Sequence, residues 1–164
     1  MPEHHVELLD AHVHHWDPAK HAVGAFGAAR PAAGWGSVVV TGSGASLKGL
    51  TNVGAYLAST HALVGLVRTA AKEAAPEGVR VNLVAPGYVG TPMFRNDTTK
   101  ALYVPDLADP SDEQLAERAA AGVPMGIPWV EAADVTEAVL YLDSDAARYV
   151  TGTVLPVDGG SAIP

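Results

Sequence analysis

Ser37-Val38-Val39-Val40-Thr41-Gly42 is the stretch on which the fold turns. Three consecutive valines present no polar face, so the run reads as a strand covered on both sides, which is the condition of parallel sheets flanked by helices. Working toward the C-terminus, Leu63, Leu66, Val67 and Ala70 recur at helical spacing within residues 54–75, and Pro76 with Gly78 ends that helix. Val79, Val81, Leu83 and Val84 predict a second strand, halted at Pro86-Gly87. The order is strand, helix, strand.

A loop is expected over residues 88–110. Ser111 with Gln114 then forms a capping box that starts a helix over residues 112–121. Val135, Ala138, Val139 and Leu142 mark a further helix over residues 131–142, and residues 153–157 supply a last strand before Asp158-Gly159-Gly160. Alternating strands and helices imply an α/β fold: a partial Rossmann-like parallel sheet with flanking helices, joined by right-handed crossovers. Leu63, Val67, Val139 and Leu142 are expected core positions, Trp129 and Tyr149 are expected to pack, and Asp112, Glu113 and Glu117 to form a solvated helix face.

Composition narrows the function. A chain of 164 residues suits one domain with a real core. There is no apolar run of membrane-spanning length, and a net charge of −8 without a Lys/Arg stripe argues against broad nucleic-acid binding. The absence of cysteine removes disulfides, thiolate metal sites and cysteine nucleophiles, and together with the lack of a visible secretory signal it points to the cytoplasm. Small-molecule or protein partners are expected.

The chemistry converges on one rim. Tyr56 and Thr60, four residues apart on the first helix, point the same way one turn apart, and Ser43 lies just past the first strand. In open parallel sheets the ligand crevice lies outside the carboxyl ends of the strands, where Ser43 and the segment after Pro86 both fall.

Val39-Val40-Thr41-Gly42-Ser43, then Tyr56-Leu-Ala-Ser-Thr60-His-Ala-Leu-Val-Gly-Leu, then Val79-Arg-Val-Asn-Leu-Val-Ala-Pro-Gly-Tyr-Val-Gly-Thr-Pro-Met93 resemble, in order and spacing, segments of the short-chain dehydrogenase/reductase family. Pro128-Trp129-Val130-Glu131, Ser144-Asp145, Ala147-Arg148-Tyr149, Thr151-Gly152 and Leu155-Pro156-Val157-Asp158-Gly159-Gly160 are similar to its carveol-dehydrogenase-like, mycofactocin-associated branch. The resemblance implies oxidation or reduction of a secondary alcohol or ketone with NAD or NADP. It implies Tyr56 as general acid/base, Ser43 orienting the reacting oxygen, and Pro86, Gly87, Val89 and Thr91 beside the nicotinamide.

Two departures follow from the same comparison. Where the family carries a Lys that holds the nicotinamide ribose and favours the tyrosinate, this chain has Thr60, which has no charge to offer. At about 4 Å a unit charge is worth up to about 4 kcal/mol in an effective dielectric near 20, so Tyr56 alone is expected to be a poor base. Lys48 and His61 are the nearby cationic candidates, read as a solvated loop charge and as a surface or core residue. No Gly-x-x-x-Gly-x-Gly turn precedes Ser37, so the N-terminal nucleotide-binding half is expected to be missing.

Residues 1–34 form a His-rich arm with six of the seven histidines, and residues 35–164 form the truncated dehydrogenase/reductase-like domain. Leu8-Leu-Asp-Ala-His-Val-His-His-Trp-Asp-Pro18 resembles the opening strand of amidohydrolase-like enzymes, in which His12 and His14 would be metal ligands on one strand face. Nothing in residues 34–164 reads as the rest of such a barrel. Three functions therefore stand side by side: an oxidoreductase impaired by Thr60 and the missing half, a non-catalytic half-fold that persists as a homo-oligomer or partner-binding module, and a metal-dependent hydrolase through His12 and His14. A bare hydrophobic edge at the first strand favours pairing with another chain.

Overall fold

The computed structural model describes residues 36–163. Its centre is a three-stranded, all-parallel sheet in the order β1 (Gly36–Thr41), β2 (Val79–Pro86), β3 (Val154–Val157). Val38 lies opposite Val81 and Val40 opposite Leu83, and Leu83 in turn lies opposite Val154. Because side chains alternate along a strand, this register sends Val38, Val40, Val81, Leu83 and Ala85 to one face. Helix α1 (Gly54–Ala74) covers that face with Leu63, Val67, Ala70 and Ala71, closing the main core. Gly78, at φ 74°, takes the left-handed conformation that turns the chain from α1 into β2.

The opposite face carries Val39 and the buried Val84 together with Ser37, Arg80 and Asn82, whose side chains are satisfied by main-chain groups. Ser37 Oγ donates to Leu142 O at 3.3 Å, and the Arg80 guanidinium donates to Leu142 O and to Asp143 O. Asn82, fully buried, donates through Nδ2 to Val150 O at 2.9 Å and accepts from Thr153 N at 3.1 Å. These bonds pin the end of α4 (Ala132–Asp143) and the start of β3 against the sheet. The expected α/β architecture, with helices on both faces of a parallel sheet, is the one observed.

Helix α3 (Asp112–Ala121) begins at the expected capping box, with Ser111 Oγ accepting from Gln114 N and Gln114 Oε1 accepting from Ser111 N. The segment expected to be a loop contains a helix, α2 (Asp97–Tyr103). Its two turns carry Thr98 and Thr99, weak helix formers, and too few apolar residues to show a period. It is fixed instead by Asn96, whose Oδ1 accepts from Thr99 N at 2.9 Å, and by Lys100, which reaches Asp112 of α3 at 2.7 Å. Asp112 also holds Arg95 at 2.8 Å, so the acidic start of α3 is an ion-pair hub rather than only a solvated face.

Leu63, Val67 and Leu142 are enclosed as expected, and Val139 is half-buried. Tyr149 does not pack as expected. It is 90% exposed, with the Arg148 guanidinium over its ring at 5.0 Å. The tight turn Asp145–Ala147 aims Ala147 inward and brings the Val150 carbonyl to Asn82, which leaves Tyr149 outside.

Candidate functional site

Ser43 leaves β1 in an extended conformation and caps the tight 3-10 turn Gly44–Leu47. Its Oγ accepts from Ala45 N at 3.1 Å, and its carbonyl accepts from Ser46 N at 2.8 Å. Because Oγ is an acceptor in this cap, its hydroxyl proton is left to donate outward. The turn lies directly on the end of β2: a methyl on Gly44 would meet Pro86 O at 3.4 Å and Gly87 Cα at 3.7 Å. The carboxyl ends of β1 and β2 thus bring Ser43 and Pro86-Gly87 together.

Tyr56 is the third residue of α1, and α1 packs on the Gly44–Leu47 turn. Its side chain is 48% exposed. One helical turn along, Thr60 is buried and donates its hydroxyl to Leu57 O at 3.1 Å. His61 also turns back to Leu57 O, at 2.9 Å, and is exposed. Lys48, expected to be a solvated loop charge, is part-buried and donates to the backbone carbonyl of Ser161 at 2.7 Å. Its stem reaches across to the C-terminal turn because the main chain at Lys48 is extended as it leaves the preceding turn.

After Gly87, whose N–H joins β3 by donating to Val157 O, the chain bridges through Val89 to Val130. Thr91 N donates to Val89 O at 2.7 Å and Thr91 O accepts from Phe94 N and Arg95 N, so this backbone is fully engaged and the hydroxyl is what Thr91 can offer a ligand. Trp129 lies against Gly90, where a methyl would come within 2.6 Å of its indole.

An aromatic cluster that the sequence reading did not assemble stands beside this segment. Tyr88 stacks on Phe94 at 4.7 Å between ring centroids, Tyr103 meets both edge-on, and Trp129 meets Phe94 at 6.2 Å. The Arg95 guanidinium lies over Trp129 at 5.2 Å. Burial, followed by the neighbouring Tyr88 hydroxyl, pushes the Tyr103 phenol above the ordinary tyrosine range. Met93 and Leu102, beside the cluster in sequence, are exposed. Four rings drawn from separate segments form a wall that only tertiary structure can reveal.

The fit to a nicotinamide dinucleotide is one-sided. Residues 86–91 present a turn and a hydroxyl suited to the nicotinamide end. Thr60 supplies no cation for the ribose, and no Gly-rich phosphate-binding turn occurs among the described residues. Among the described residues there is likewise no group of three or more His, Asp or Glu placed to hold a metal, and His12 and His14 lie outside them. No described helix is long and apolar enough to cross a membrane.

Comparison with known proteins is consistent across sequence and structure. Residues 19–162 match the family model described as enoyl-(acyl carrier protein) reductase. The chain is 44% identical over 128 residues to (-)-trans-carveol dehydrogenase of Rhodococcus erythropolis, covering 78% of this chain and 46% of that protein. It is 36% identical over 129 residues to levodione reductase of Leifsonia aquatica, covering 79% and 46%. The crystal structure of carveol dehydrogenase from Mycobacterium avium in complex with NAD superposes with a TM-score of 0.77 at 39% identity, covering 89% of this chain and 50% of that one. The chain spans about half the length of the curated relatives it matches. With this match, this sheet and this order of motifs, the chain belongs to the short-chain dehydrogenase/reductase family.

Proposed function

We propose that this protein is an oxidoreductase acting on a secondary alcohol or ketone in the cytoplasm, with NAD or NADP as its redox partner. The observation that supports this most is the rim itself. The turn that Ser43 caps lies on Pro86-Gly87 at the strand ends, and the helix that carries Tyr56 packs on that turn, in a chain 44% identical over 128 residues to a carveol dehydrogenase. The nicotinamide, when bound, supplies or takes the hydride. Residues 86–91, with the Thr91 hydroxyl, would hold its nicotinamide end.

Within that reading Ser43 donates its free hydroxyl proton to the substrate oxygen and orients it. Tyr56 gives a proton to that oxygen in reduction and takes it in oxidation. Without an ammonium one turn along, nothing charged favours its giving up the proton, so Tyr56 serves better as the donor in ketone reduction than as the base in alcohol oxidation. The apolar wall of Tyr88, Phe94, Tyr103 and Trp129 suits an alicyclic substrate of the kind the relatives' names denote. The test is oxidation of NADH or NADPH with cyclic ketones by the wild type and by Ser43→Ala. Loss of about a hundredfold in kcat/KM is expected, as for removal of a transition-state donor.

A second reading, homo-oligomerisation of a half-sheet, is favoured by one observation. Among the described residues β1 pairs on one side only, and Gly36–Thr41 contains neither a charge nor a proline to block further pairing. Mass measurement in solution tests it: a clean monomer with no partner removes it.

A further inference from the structure

We infer that Lys48 is a positioning residue: it clasps the C-terminal turn onto the Ser43 turn and so sets Ser43 against the Pro86-Gly87 segment. The inference rests on the reading of that rim given above. Its basis is a closed ring of contacts. Lys48 leaves the Gly44–Leu47 turn and its ammonium donates to Ser161 O at 2.7 Å. Ser161 belongs to a tight turn organised by Asp158, whose carboxylate accepts from Gly160 N at 2.9 Å, Ser161 Oγ at 3.2 Å and Ala162 N at 2.7 Å. Asp158 in turn lies on Gly87, where a methyl would fall 2.8 Å from its Cβ, and Gly87 closes the ring on Gly44.

The Asp158 turn is held by hydrogen bonds to its carboxylate, and the Asp158–Gly87 and Gly87–Gly44 links by van der Waals packing. The Lys48 ammonium is the flexible link, and it meets a neutral carbonyl rather than a carboxylate, so what it selects is the position of the turn and not a charge partner. The turn has a second anchor, Met125 N donating to Gly159 O at 3.1 Å. Removing the lysine therefore leaves β3 and the Asp158 turn attached, with the Ser43 turn held to them by the packing of Gly44. That makes the effect local.

Amide hydrogen exchange on Lys48→Met and Lys48→Arg, compared with the wild type, tests this directly. Lys48→Met is expected to speed exchange about tenfold at Ser46, whose N–H closes the Ser43 turn, and at Ala162, while Val67 and Leu83 in the core keep wild-type protection. Lys48→Arg, which retains a donor, is expected to return both amides to about the wild-type rate. Unchanged exchange at Ser46 and Ala162 in Lys48→Met would overturn the inference, as would Lys48→Arg behaving like Lys48→Met. In a turnover assay, Lys48→Met lowers kcat more than it raises KM, and Lys48→Arg restores it. Absence of turnover in the wild type would count against the oxidoreductase reading alone, because the exchange result does not depend on it.

Discussion

The Thr60 hydroxyl donates to the Leu57 carbonyl at 3.1 Å, so the position one turn beyond Tyr56 is closed back onto its own helix. No cation reaches Tyr56 from there, and Lys48 is committed to Ser161. Thr60→Lys restores a charge that favours the tyrosinate. An interaction of up to about 4 kcal/mol corresponds to at most about a thousandfold. Alcohol oxidation near pH 7 should rise between about tenfold and that limit. Steady-state rates across pH check it.

Asn82→Leu should destabilise the fold by about 2–4 kcal/mol, because Thr153 N loses its acceptor and Val150 O its closest donor in a fully buried position. Urea unfolding followed by circular dichroism measures this, and the midpoint should fall with little change in slope.

Gly87→Ala should cost about 1–3 kcal/mol and push the C-terminal turn off β2, since the new methyl meets Asp158 Cβ at 2.8 Å and Cα at 2.9 Å, and backbone cannot simply swing aside. Thermal unfolding gives the loss in stability. Exchange at Gly160 and Ala162 reports the displacement.

Asp112 links α2 to α3 through Lys100 and Arg95, and these two cations, Lys100 first, hold its carboxyl below the ordinary aspartate range. A lowered folded value means that the contribution is present above the unfolded value of about 3.9 and is lost only as pH falls through the folded one. Lys100 and Asp112 are half-buried and still reach solvent, so the effect is modest and weakened by salt. Trp129 fluorescence, read as the difference between wild type and Asp112→Asn, should be unequal at pH 6 and low salt. The two should converge as pH falls through the lowered folded value of Asp112, or near 1 M salt.

Much of this was legible in the sequence because local physics decided it. The valines of β1, the α1 period ending at Pro76-Gly78 and the Ser111–Gln114 capping box each satisfy a short-range rule, and each element stands where that rule put it. Helix α2 escaped because its stability is tertiary: an Asn96 cap and a Lys100–Asp112 pair replace the missing apolar period. The aromatic wall escaped for a related reason, since Tyr88, Phe94, Tyr103 and Trp129 are spread over more than forty residues and meet only when β2 and α4 are in place. Lys48 looked like a loop charge because its partner is a main-chain carbonyl 113 positions away, which no side-chain pattern encodes.

The proton transfer proposed for Tyr56, to or from a substrate oxygen, carries the oxidoreductase reading. It is tested most directly by Tyr56→Phe, which removes one exposed hydroxyl without touching the core. The measurement is the rate of NADH or NADPH oxidation with a cyclic ketone at pH 7, wild type against variant. Measurable turnover by the wild type is expected, with a fall of about a hundredfold or more in the variant and an unchanged melting temperature. Turnover that survives in Tyr56→Phe, or no turnover by the wild type, would contradict it.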